Sequence, residues 1–97
     1  MKATWNNTVI AESNETILIE GNHYFPKKSI SKDFLQASEH TSTCPWKGEA
    51  HYYDVIADKE KNINAAWYYP KPKEGSIEKV GKDFSNYIAF WKGVIVD

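Results

Sequence analysis

Two aromatic, β-branched runs, Glu49 to Ala57 and Asn64 to Tyr69, flank the charged stretch Asp58 to Asn62, and the second run stops at Pro70. Aromatic and β-branched side chains suit the pleated, half-buried surface of a strand, and a proline cannot donate to a sheet ladder. The pair therefore predicts an antiparallel hairpin in which Tyr52 and Tyr53 come near Trp67, Tyr68 and Tyr69 as an aromatic ladder. Side chains alternate along a strand, so Tyr53 and Val55 point one way and Tyr52 and Asp54 the other. Trp67 and Tyr69 likewise share a face opposite Tyr68. One face of this hairpin has to form core, which leaves the other able to line a cleft.

The rest of the chain supplies more short extended pieces. Thr8 to Glu12 and Thr16 to Glu20 are β-branched, and Ser13-Asn14-Glu15 between them predicts a hairpin loop. Gly21-Asn22 is a second turn signal, followed by a short extended piece that Pro26 ends. Ser29 to Ser38 is the helix candidate: Ser31 caps, Asp33 sits in the first turn, and Ile30, Phe34, Leu35 and Ala37 make a short apolar face. The Ser- and Thr-rich stretch to Thr43 then ends it. A turn of helix through Ile77 to Val80 capped by Ser76, a strand from Tyr87 to Trp91 and a final piece, Val94 to Val96, complete the reading. The expectation is one mainly β domain over residues 1–97, a small antiparallel barrel or two-layer sandwich with one short helix. Trp46-Lys47-Gly48 recurs as Trp91-Lys92-Gly93, which reads as a recurrent turn.

Composition narrows the function classes. With 12 Lys and Arg against 13 Asp and Glu, the net charge of −1 argues against a basic nucleic-acid binder. All of the basic residues are Lys, so bidentate arginine clamps on phosphate or guanine are absent. One cysteine allows no internal disulfide, and no apolar run reaches membrane-spanning length, so a cytoplasmic domain with no membrane partner is expected.

Cys44-Pro45-Trp46-Lys47-Gly48 is the most distinctive local string. Pro45 keeps Cys44 extended, Gly48 permits a bend, and an ammonium beside a thiol favours the thiolate. Against that stands the packing role of a small buried thiol, with the Lys47 stem laid over Trp46. His23, His40 and His51 have no metal-site spacing to Cys44, so neither metal nor cofactor is expected, and His51 on its strand reads as a hydrogen-bonded structural residue. Asp58 and Glu60 formally match the Asp-x-Glu metal pair of phosphoryl-transfer sites, but within a charged loop and without a Gly-rich phosphate cradle upstream they read as solvated.

Cys44 to Gly48, Tyr52 to Val55, Asn64 to Pro70 and Ala89 to Val94, with Glu20 to Pro26 upstream, resemble the bacterial family known as domain of unknown function 427. The resemblance covers nearly the whole chain, although Ile77 to Ser85 looks longer than is usual in the family. It implies a small, single, largely β domain. The family is sometimes labelled nucleotidyltransferase-like, whereas this chain has no Gly-Ser turn followed by paired aspartates and no Arg. The positions where the family's motifs would hold a site are Cys44, Trp46, Lys47, Tyr53, Trp67, Tyr69 and Trp91.

The expected function is binding of a small polar or planar ligand where the Cys44 to Gly48 loop meets the aromatic hairpin. Trp46, Trp67 and Tyr69 would be stacking walls, Tyr53 a hydroxyl donor, and Lys47 the charge that fixes an anionic or carbonyl group. The alternatives are an interaction or homodimerisation module with an exposed aromatic face, and a nucleotidyltransferase-like enzyme using Asp58 and Glu60.

Overall fold

Tight turns decide which strands pair. In the computed structural model, which describes residues 1–97, β1 (Lys2–Trp5) turns back into β2 (Thr8–Glu12) through Asn6-Asn7, and β3 (Ile17–Ile19) into β4 (Asn22–Tyr24) through Glu20-Gly21. Both residues of each turn have positive φ, at 51° and 61° for the first and 52° and 82° for the second. Such type I′ turns match the right-handed twist of the strands they join. The predicted hairpin between Thr8–Glu12 and Thr16–Glu20 therefore does not form: each segment already has a closer partner across a two-residue turn.

The second correction concerns the predicted helix. Ser31 does cap, its Oγ accepting from the Asp33 N–H at 3.3 Å, but the turn it starts is a single 3₁₀ turn, Lys32–Phe34, after a similar turn at Lys27–Ser29. Leu35 is already extended, with φ −125° and ψ 134°, and opens the long strand β5 (Leu35–Cys44). The polar run from Ser38 to Thr43 belongs to this strand because β5 lies at the edge of its sheet, with most of its side chains in water. An edge strand with one neighbour tolerates a polar composition that a central strand would not.

β5 pairs with β6 (Gly48–Ala57), β6 with β7 (Glu60–Tyr68), and β7 with β8 (Ile88–Phe90), all antiparallel, giving a four-stranded sheet. The turn between β6 and β7 is Asp58-Lys59, again with positive φ at both residues, so the charged loop is shorter than expected and Glu60 starts the returning strand. β9 (Ile95–Val96) joins β1 and β2 in a three-stranded sheet, and β3–β4 forms a third. The main-chain groups of Phe25 and Ile88 exchange two bonds of 2.8 Å, stitching the end of β4 to β8. The protein is mainly β, and the sheets do not close into a barrel. Its one α-helix, α1 (Ser76–Val80), forms at the second position that the sequence offered, but Gly75 is its N-cap and Ser76 lies inside it, with its Oγ donating to the Lys73 carbonyl at 2.6 Å instead of capping.

The four-stranded sheet carries a core on each face. Val55, Ala66, Ile88 and Phe90 pack with Ala3, Ile10, Ala11, Phe25 and Ile30 on one side. Ala50, Tyr69 and Ala89 pack with Ile17, Ile19, Tyr24 and Phe84 on the other. Strand alternation divides the aromatic hairpin between them: Tyr53 and Tyr68 lean on the first core, Tyr52 and Trp67 on the second.

Candidate functional site

Register brings the site together. Tyr52 lies directly opposite Trp67 across the β6–β7 ladder, and Trp67 opposite Ala89 on β8, two residues before Trp91. Trp91 is held at this face by Asn64, which takes a positive φ of 58° within β7 and whose carbonyl accepts from the Trp91 indole N–H at 2.6 Å. The two indoles meet edge to face, 5.8 Å apart and 77° between planes, so they form a corner. The Trp67 indole donates to the Tyr24 hydroxyl at 3.0 Å, and the Tyr24 and Tyr69 rings stack at 6.4 Å. From the edge strand, Ser42 Oγ lies 2.8 Å from the Tyr52 hydroxyl and the His40 ring 4.6 Å from the Tyr52 ring.

Lys47 enters this aromatic corner from the β5–β6 connection. Pro45 to Lys47 bridges Cys44 and Gly48, which face each other across the ladder, and Gly48 takes φ +110°. Behind the connection the chain from Pro70 to Lys73 folds back, with the Lys73 N–H donating to the Lys47 carbonyl at 2.9 Å and Lys73 Nζ to the Pro45 carbonyl at 2.9 Å. A β-carbon on Gly48 would come within 3.2 Å of Lys73 N and 3.3 Å of Lys71 O. Gly48→Ala is accordingly expected to cost about 1 to 3 kcal/mol, combining left-handed strain with this close approach. Gly93→Ala, at φ +89° with nothing within 4 Å, has only the strain and should cost less. Urea midpoints of the two variants compare them, and equal losses would mean that the 71–73 backbone does not constrain the loop.

Lys47 is 7% exposed as a residue, and its ammonium donates to the Glu20 carboxylate from the β3–β4 turn. It lies over the rings of Trp46, at 5.2 Å, and Tyr69, at 5.5 Å. The Lys47 hydrogen bond holds Glu20 below the ordinary carboxylate pKa. Burial by itself would lower the Lys47 pKa, yet its bond to Glu20 and the charges around it leave it raised. At neutral pH Lys47 is thus a fixed cation, not a base. Burial pushes Tyr69 upward, and its neighbours Tyr24, Cys44 and Tyr52 push it further, so its hydroxyl stays protonated. Lys47, Tyr52, Trp67, Tyr69 and Trp91 together line a cleft of ≈ 180 Å³. This volume admits a single small ring with a substituent, and the walls offer π-faces, phenol groups and one cation.

A family model described as Domain of unknown function (DUF427) matches residues 1–97, the whole length of the chain. The chain belongs to this family. No curated protein matches it.

Within this DUF427 domain, the residues expected at the site are not all in one place. Lys47, Trp67, Tyr69 and Trp91 line the cleft, while Trp46 stands beside it under Lys47 and under Lys79, whose ammonium lies 4.5 Å from the ring. Cys44 packs against the same core and is partly buried. Tyr53 is on the other face of the sheet, stacked on Tyr68 at 4.8 Å, and Tyr52 takes the cleft position next to Trp67. The hairpin register could have identified Tyr52, since it shares a face with Trp67 and Tyr69. No local pattern pointed to Glu20 or Tyr24, which come from a separate hairpin. Asp58 and Glu60 sit exposed at the β6–β7 turn, outside the cleft lining, and no three His, Cys, Asp or Glu side chains converge as a metal site. His51 is paired with Glu49 at 2.8 Å. No helix is long and apolar enough to cross a membrane.

Proposed function

We propose that this domain binds a small planar ligand with polar substituents in the cleft between Lys47 and the Trp67–Trp91 corner. The observation that carries the reading is a buried, charged lysine at the wall of an open aromatic cleft. Protein interiors rarely hold a lysine without a use for its charge, and a core needs only apolar contacts at such a position. The perpendicular indoles offer one ring a stacking face and an edge contact at once. The rival reading, a flat aromatic interaction patch, has less support, because Trp91 is the one exposed aromatic residue of the chain.

Trp91 is also the residue to test. It is 46% exposed, so Trp91→Ala, which gives up one indole hydrogen bond and the contact with Trp67, should cost the fold about 1 to 3 kcal/mol and leave it folded while removing one wall of the cleft. A thermal-shift screen against nucleobases, sugars and aromatic acids should give hits that raise Tm in the wild type and lose at least tenfold in affinity in Trp91→Ala. Hits that bind both proteins equally would place the ligand elsewhere, and a screen with no hit among planar compounds would defeat the reading.

A further inference from the structure

A purely aromatic pocket has no need of the Glu20–Lys47 pair. Glu20 occupies the first position of a type I′ turn at φ +52°, where Asn, Asp or Gly is the usual residue. Its side chain is 54% exposed, while that of Lys47 is 9% exposed and lines the cleft. A buried ammonium requires an anionic partner at all times, and Glu20 is the only acidic side chain paired with it. Lys47 Nζ has three N–H groups, of which the bond to Glu20 uses one, and no second hydrogen bond leaves this nitrogen. Tyr24 and Cys44 are its other polar neighbours.

We infer that Glu20 stands in for the charged group of the ligand: the cleft takes a planar aromatic carboxylate whose ring lies in the Trp67–Trp91 corner and whose carboxylate replaces Glu20 on Lys47. The inference rests on the ligand reading above and names its chemical class. Such an exchange keeps the buried cation paired throughout. It returns Glu20, already half in water, to full hydration at little cost. A neutral ring could take only a hydrogen bond or a cation–π contact from Lys47 and could not neutralise it in place of Glu20, and a cationic one would be repelled by it. The displaced group is itself a carboxylate, so the space beside Nζ suits another of the same shape and charge. Glu20 then acts as a competitor built into the chain, setting a threshold concentration for binding.

The test uses benzoate and its neutral isostere benzamide, titrated into wild type, Glu20→Asn and Glu20→Gln, with the indole N–H resonances of Trp67 and Trp91 as the readout. Glu20→Asn places Asn before Gly21 on the type I′ turn, a favourable pair there, and so protects the fold. Glu20→Gln controls for that change of turn. Benzoate is expected to bind both variants at least tenfold more tightly than wild type, with benzamide affinity unchanged. Benzoate and benzamide binding alike in all of the proteins would overturn the inference and leave the ligand reading standing. Weaker benzoate binding in the variants would also overturn it, because Glu20 would then be part of the site. Resonances that move with neither probe in any protein would remove the planar-ligand reading and the inference with it.

Discussion

Phe84→Ala is expected to destabilise the protein by about 3 to 5 kcal/mol, the range for truncating a fully buried phenylalanine. Phe84 is 0% exposed, and its ring meets Tyr24 edge-on at 6.4 Å and Tyr69 edge-on at 5.9 Å. It descends from the connection between α1 and β8 and seats against Tyr24 and Tyr69, the second of which lines the cleft. The Asn86 N–H donates to the Tyr69 carbonyl at 3.0 Å and the Tyr87 N–H to the Phe84 carbonyl at 3.1 Å, so neighbouring backbone bonds fix the segment in place. The cavity left by alanine cannot be filled by the small residues of this core, Ala50 and Ala89. A domain of this size has about 5 to 10 kcal/mol in total, and Phe84→Ala would take a large part of it. Phe84→Leu, which keeps most of the volume, should cost about 1.5 kcal/mol or less. Urea unfolding measures both losses. An alanine loss below about 1 kcal/mol would mean that the connection does not pack on Tyr24 and Tyr69 as described.

Phe84 also shows where sequence and structure part. The stretch from Lys71 to Asn86 is polar, with Gly75 and Gly81 as breaks, and a lone phenylalanine has no period by which to be assigned a face. The aromatic hairpin was readable because two strands carried alternation at once and Pro70 marked an end. The split of Tyr52 and Trp67 from Tyr53 and Tyr68 follows directly from that alternation. Beyond the hairpin, local signals competed. Asn6-Asn7 and Ser13-Asn14-Glu15 are both turn-like, and the pairing was decided by the twist of a two-residue I′ turn, not by composition. Ser31 and Asp33 start a turn in either a 3₁₀ or an α-helix, and nothing within the segment states that Leu35 pairs with Val55. The loop carrying Lys47 was recognisable as a site element from its own residues. Its partner Glu20 is 27 positions away in sequence, and only the assembled sheets bring the two together.

Alkaline pH should be where this fold fails most steeply. Tyr24 is 1% exposed and Tyr69 5% exposed, and burial raises the pKa of both above the ordinary value for a phenol. Burial, with Tyr53 beside it, raises Tyr68 as well, and Lys47 is also raised, burial there being outweighed by Glu20. A group whose folded pKa lies above its unfolded one contributes stability that is fully present below the unfolded value. That contribution is lost as pH rises towards the folded value, because the unfolded chain releases the proton first. For these groups the loss begins at about pH 10, where an exposed phenol ionises. Tyr69, the more strongly raised, then gives a slope approaching about 1.4 kcal/mol per pH unit, one proton's worth, and Tyr24 adds to it in the same direction. Against a total of about 5 to 10 kcal/mol, each unit above pH 10 removes a sizeable fraction of the stability, and the denaturant midpoint should fall steadily there. Glu20, whose pKa is lowered, acts in the opposite sense: its contribution is present above the unfolded carboxylate value and declines as pH falls below it. Denaturant titrations at pH 8, 10 and 11, with tyrosinate absorbance followed in parallel, measure the effect. Tyr69 should ionise only together with unfolding, and Tyr69→Phe should reduce the alkaline slope by about one proton's worth. A slope near zero between pH 10 and 11 would mean that both phenols ionise freely in the folded protein, and the burial of their hydroxyls would have to be abandoned.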